Sequence, residues 1–148
     1  MSITIKLPEE LINQLSEFDK HTGEIMDAAL TAGAKVACKQ AKTNLSFAIG
    51  SGTKEPSQST GELVRALGVT PVKPDRDGWN VRVGFAEPRR DGKSNAMVAN
   101  ILEYGSRKHN QPARPFMKPA ADSTKAAAKA EIKRVFDEEA KKYLKMKG

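Results

Sequence analysis

Glu131 and Lys133 stand two residues apart, and a Glu-x-Lys pair is one half of a nuclease site, with a carboxylate on a metal and a lysine near the phosphate. Two helical residues at that spacing do not share a face, so the pair reads as a solvated helix surface. His21 and His109 lie far apart in polar settings, and no Cys/His cluster has metal-ligand spacing. Cys38 is the sole cysteine, which excludes an intramolecular disulfide and suits a small buried helix residue. Gly50, Gly52 and Gly61 sit in a Ser/Thr-rich stretch, but no Gly-Lys-Ser/Thr follows them, and no Gly-x-Ser-x-Gly is present. No nucleophile, base and metal set can be assembled, so the chain reads as a non-enzyme with no catalytic residue, cofactor or metal site. The remaining chemistry is basic. Arg89, Arg90, Lys93, Arg107, Lys108 and Arg114 gather on two loops, and Arg suits bidentate contact with carboxylate or phosphate. The aromatic interleaving of single-strand binders is lacking.

The elements that must position these groups fit one domain over residues 1–148. Apolar residues make up 39% and aromatics 5%, so the core rests mainly on Ala, Val, Leu and Ile. Every apolar stretch is broken by charge well short of the roughly 18 residues of a membrane span. Met1–Lys6 lacks the basic-then-apolar pattern of a secretory leader, and the lone Cys38 fits a reducing cytosol. The net charge of +7 is uneven: residues 1–47 hold five Lys and six acids (−1), residues 118–148 nine Lys or Arg and five acids (+4). That asymmetry suits an acidic partner, nucleic acid or solubility.

Ser2–Lys6 alternate as a short strand. Pro8 opens a short helix with Leu11, Ile12, Leu15 and Phe18 on one stripe. A second helix is predicted from Thr22 to about Leu45, with Ile25, Ala29, Gly33, Val36, Ala41 and Leu45 on a face that admits close approach. Residues 50–59 read as a flexible loop. Ser59 and Glu62 form a candidate capping box for a short helix over Leu63–Leu67, stopped by Gly68. Val69–Lys73 and Trp79–Phe85 read as a hairpin with Trp79, Val81, Val83 and Phe85 on one face, and Pro74, Asp75, Asp77 and Gly78 in the turn. Pro71 demands an edge or a bulge. After a polar loop over 86–95, Asn95 caps a helix through Val98, Ile101, Leu102 and Tyr104 that ends at Gly105 in a left-handed cap. Pro119 starts a last helix to about Lys145, with Ile132, Val135, Phe136, Tyr143 and Leu144 as its stripe. The fold class is α+β: a small antiparallel sheet packed against a long N-terminal helix and a C-terminal helix.

The most informative segment runs from Leu102 to Ala120, LEYGSRKHNQPARPFMKPA. Pro112, Pro115 and Pro119 stiffen an extended approach to the last helix. Tyr104, Phe116 and Met117 are expected to hold the core, and Arg107, Lys108 and Arg114 to face a neighbour. The turn Glu103, Tyr104, Gly105, Ser106 followed by Pro112, Ala113, Arg114, Pro115, Phe116, Met117, Pro119 and Ala120 resembles the signature of a tail-component family of long-tailed bacteriophages. The Ala-rich N-terminal helix and Thr60–Leu63 before the hairpin are similar too, while Ser106 stands where Thr is more frequent and the loop over 89–95 is long. The resemblance implies a virion structural protein of phage or prophage, a neck, tail-completion or head–tail joining subunit. It implies a ring, hexameric in the virion, between the head connector and the tail-tube proteins, assembled in the host cytoplasm. Non-specific contact with DNA in the channel is compatible with the charge. The alternative from charge alone is a small basic nucleic-acid-binding prophage protein, for which no helix-turn-helix or other binding motif is present.

Overall fold

The computed structural model describes residues 2–6, 21–49, 61–76, 78–86, 94–108 and 110–147. The helix expected over Pro8–Phe18, the loop at 50–59, the Ser59 cap, and Arg89, Arg90, Lys93 and His109 lie outside these residues, as do the side chains of Tyr143 and Leu144.

The elements are β1 (Ile3–Lys6), α1 (Thr22–Ala48), α2 (Glu62–Ala66), β2 (Leu67–Val69), β3 (Lys73–Asp75), β4 (Gly78–Phe85), α3 (Asn95–Tyr104) and α4 (Met117–Lys147). The class is α+β, as the residue pattern implied. The sheet is built on β4, which pairs antiparallel with β1 on one side and with β2 and β3 in succession on the other. Val81 and Val83 are fully buried, while Arg82 between them is exposed, so the strand buries one face as its alternation requires.

Pro71 falls in the break between β2 and β3. Val69 pairs with Val83 and Lys73 with Asn80, so three residues, 70–72, oppose two, 81 and 82. This is a one-residue bulge, and it places the proline where no ladder donor is needed. The Thr70 side chain repairs the interruption: Arg82 N–H donates to Thr70 Oγ1 at 3.0 Å, and Thr70 N–H donates to the Arg82 carbonyl at 2.8 Å. Two expectations need correction here. Gly68 does not stop α2: Leu67 is already extended, and Gly68 is a strand residue opposite Gly84. Pro74 and Asp75 belong to β3 rather than to the turn, which closes with Asp75 opposite Gly78.

α1 reaches Ala48, three residues past the expected end. It packs on the sheet and, along its length, against α4. The two helices run antiparallel, since Gly33 faces Ala128 and Ile132 while Asn44 reaches Phe116. Small residues set their separation. A Cβ on Gly33 would lie 2.5 Å from Ile132 Cγ1 and 3.2 Å from the Ala128 carbonyl oxygen. After Met117, the buried residues of α4, Ala120, Thr124, Ala128, Ile132, Phe136 and Ala140, recur every fourth position, a ridge that winds slowly around the helix as it runs along it. The α4 stripe begins among small side chains and gains its bulk at Ile132 and Phe136, each of whose burial is worth about 1.5–3 kcal/mol, before Ala140. Cys38 is buried in the same core, and desolvation pushes its thiol above the ordinary range despite Lys42 nearby, which makes it a poor nucleophile.

Candidate functional site

The start of α4 is where the distinctive sequence segment does its work. A helix of this length opens with N–H groups that have no intrahelical acceptor. Glu103, on the last turn of α3, supplies one. Its carboxylate is 3% exposed. Oε2 accepts from the N–H of Phe116 at 2.7 Å and of Met117 at 2.9 Å, and Oε1 accepts from Lys118 N–H at 2.9 Å. The next residue, Pro119, has no N–H to satisfy, and Ala120 N–H makes the first intrahelical bond, to the Phe116 carbonyl at 3.3 Å. Every donor of the opening turn is thereby accounted for. The buried carboxylate of Glu103 is met by three N–H dipoles and the positive end of the helix, and no basic side chain among the described residues pairs with it. Pro119 thus sits third in α4, two positions later than the start expected of it.

The other side of this junction is tied to α1. Asn44 Nδ2 donates to the Phe116 carbonyl at 3.2 Å, and Gln40 Nε2 donates to Asn44 Oδ1 at 2.9 Å, which fixes the amide. The Phe116 ring is fully buried and stands edge-on to Phe85, with centroids 6.0 Å apart at 76°. Met117 is 3% exposed. One residue, Phe116, therefore joins α1, α3, α4 and β4.

Between Glu103 and Phe116 the chain makes a small hairpin rather than an irregular loop. Ser106 and Gln111 exchange two backbone bonds, of 2.9 and 2.8 Å, and Asn110 adopts φ +48 with its N–H on the Arg107 carbonyl. Gly105 admits this hairpin. It has φ +78 and ψ +178, a region open essentially to glycine alone, and not the left-handed cap expected from its position. A Cβ there would lie 2.8 Å from both Ala113 N and the Gln111 carbonyl oxygen. Gly105→Ala is therefore expected to cost about 2–3 kcal/mol, from backbone strain and the clash together. A urea midpoint equal to that of the parent would show that the hairpin can move aside. Arg114 N–H donates to the Leu102 carbonyl at 2.6 Å and returns the chain toward the core.

Arg107 and Lys108 on the hairpin are exposed and Arg114 is half-buried, while Pro112, Ala113, Pro115 and Pro119 are exposed. Tyr104 requires a correction: expected in the core, it is 74% exposed. On the ten residues of α3 the buried side is Asn95, Ala99 and Glu103, which turns Met97, Ile101 and Tyr104 outward at helical spacing. Met97 is 52% exposed, so an apolar stripe leads along α3 to the basic hairpin. The i, i+4, i+7 spacing of those three residues was visible in the sequence, but not the direction it faces. The cap of α3 also shifts by one residue. Ser94 Oγ accepts the Met97 N–H at 3.3 Å, while Asn95 is buried and donates to the Ala86 carbonyl at 2.6 Å. Glu131, the carboxylate of the Glu-x-Lys pair, accepts from the Arg134 guanidinium, which holds it below the usual carboxylate range. His21 stands at the N-cap of α1, 3.6 Å from Glu24.

This arrangement suits protein contact: a rigid, outward apolar and basic ridge braced by a buried carboxylate. No helix among the described residues is long and apolar enough to cross a membrane. A family model described as "Bacteriophage HK97-gp10, putative tail-component" matches residues 9–105, more than half of the chain. The matched stretch includes α1, β2, β3, β4 and α3 and ends on Gly105, so the hairpin, the proline-containing approach and α4 lie beyond it. No curated protein and no solved structure gives a match.

Proposed function

Since the chain belongs to the HK97-gp10-like family of bacteriophage tail components, we propose that it is a structural subunit of the head–tail junction of a phage or prophage. In this reading it is a neck or tail-completion protein with no catalytic role, and copies assemble in the host cytoplasm into a ring between head connector and tail tube. The family match carries the reading. The ridge formed by Met97, Ile101 and Tyr104 on α3 and by Arg107 and Lys108 on the hairpin supports it, because an exposed aromatic beside arginine is the composition of interface hot spots. The conformation of the hairpin is already fixed by Gly105 and the Ser106–Gln111 bonds, so little ordering remains to oppose association.

The test is the mass in solution by light scattering over a wide concentration range, alone and with the connector and tail-tube proteins of the same genome. A discrete mass of about six subunits is expected, since closed rings of identical subunits have fixed copy number. The double variant Tyr104→Ser, Arg107→Glu should keep the parental urea midpoint and return to monomer. Monomers at every concentration, with and without both partners, would sink the ring reading. A ring that survives the double variant would move the interface elsewhere.

A further inference from the structure

At the end of the ridge the hairpin forms an open pocket of about 370 Å³. Tyr104, Ser106, Arg107, Asn110 and Gln111 line it, with Pro112 as an apolar wall. Each of these five side chains can donate a hydrogen bond, and none of them makes a side-chain bond or ion pair among the described residues. Their backbone groups are committed instead: Ser106 and Gln111 bond each other, and Asn110 N–H donates to the Arg107 carbonyl at 3.2 Å. No carboxylate of the described residues lines the pocket. Glu103, the nearest in sequence, is buried and taken up by three N–H groups of α4. The pocket thus gathers donors around one guanidinium and holds no anion of its own.

We propose that this pocket receives a carboxylate side chain, Asp or Glu, of the protein that docks on the ridge, an inference that rests on reading the ridge as an interface. A carboxylate only accepts, at about four lone-pair sites, and a guanidinium fork fills two of them side by side. The Tyr104 hydroxyl and the Asn110 and Gln111 amides are donors for the others. The apolar run of Met97, Ile101 and Tyr104 that leads to the pocket suits a protein surface rather than a sugar–phosphate backbone. The Ser106–Gln111 exchange and the positive φ of Gly105 fix the hairpin before a ligand arrives, which limits the cost of ordering it. Arg107 is then the polar anchor of the contact, and Tyr104 serves it with both ring and hydroxyl.

The probe is acetyl-Glu-amide, one carboxylate side chain on a neutral backbone, titrated into the isotope-labelled full chain at constant ionic strength and followed by amide chemical shifts. Acetyl-Gln-amide and dimethyl phosphate are titrated beside it. The chain carries Met97→Lys, which breaks the apolar stripe outside the pocket so that no neighbour fills it, and light scattering reads its mass first. A chain that stays assembled places the ring interface elsewhere and sinks the ridge reading, while the titration still decides the chemistry of the pocket. The Ser106 and Gln111 amides should shift saturably with acetyl-Glu-amide, with a Kd on the order of millimolar to tens of millimolar, and should ignore acetyl-Gln-amide. Arg107→Gln, at an exposed position, should abolish the saturation, and Arg107→Lys, which keeps the charge without the fork, should weaken binding about threefold or more. No shift, equal shifts with the two amides, or binding unmoved by Arg107→Gln would overturn the proposal. Tighter binding of dimethyl phosphate than of acetyl-Glu-amide would assign the pocket to a nucleic-acid backbone and overturn it as well.

Discussion

Glu103→Ala is expected to destabilise the protein by about 3–5 kcal/mol, read as a fall in the urea midpoint at unchanged slope. The carboxylate takes three N–H groups from the start of α4, at 2.7, 2.9 and 2.9 Å. Alanine leaves those donors facing a space too buried for water to serve them freely, and it removes the negative charge from the positive end of the helix dipole. The desolvation of Glu103 itself is relieved, which is why the expected loss is smaller than three charge-assisted bonds summed. Glu103→Gln separates the contributions. An amide oxygen in the place of Oε2 keeps the bonds to Phe116 and Met117, but its NH2 then meets the N–H of Lys118, so an intermediate loss of about 2 kcal/mol is expected. A Gln variant as stable as the parent would show that shape and not charge holds the helix start. An Ala variant within about 0.5 kcal/mol of the parent would show that the opening turn of α4 finds other acceptors.

Phe116→Ala should cost a comparable amount, about 3–5 kcal/mol, by a different route. Its backbone N–H and C=O, which bond Glu103 and Asn44, are unaffected by the substitution, so the loss reports the ring alone. The ring is fully buried and edge-on to Phe85. Phe116→Leu fills most of the space and should cost well under half as much, and a double-mutant cycle with Phe85→Leu should return a coupling of about 0.5–1.5 kcal/mol for the aromatic pair. A loss below about 1 kcal/mol for the alanine variant would mean that the cavity collapses or that the ring is not buried in solution.

Much of this fold is written locally. The period of α1 and the alternation of Trp79, Val81, Val83 and Phe85 are set by neighbours two to four positions away, and both elements lie where those patterns put them. Pro71 marks the bulge because its missing N–H is a property of the residue itself. Contacts across longer separations were not legible. Glu103 was visible as part of a motif, but its acceptors' partners stand 13–15 residues on, and nothing in the spacing joins a carboxylate to a helix that starts beyond two prolines. Tyr104 was misplaced for a related reason. A ten-residue helix with apolar groups on two sides does not reveal which side meets the core, and here the buried side is decided by Glu103 and Asn95, two polar residues. Gly68 and Ser94 show the limit of punctuation. A glycine after a short helix can equally be a strand residue, and a cap belongs one position before the first helical residue, whichever of two adjacent polar residues that proves to be.

The small hairpin between Gly105 and Arg114 has an evolutionary consequence. Its base is clamped by the Ser106–Gln111 exchange and by the Arg114–Leu102 bond, while Arg107, Lys108 and Asn110 near its tip are exposed and lie outside the core. Changes of length or charge at the tip stop at that clamp and do not reach Glu103 or the start of α4. A lineage that must follow a drifting partner can therefore rewrite its recognition surface in a few codons, with the architecture beneath held constant.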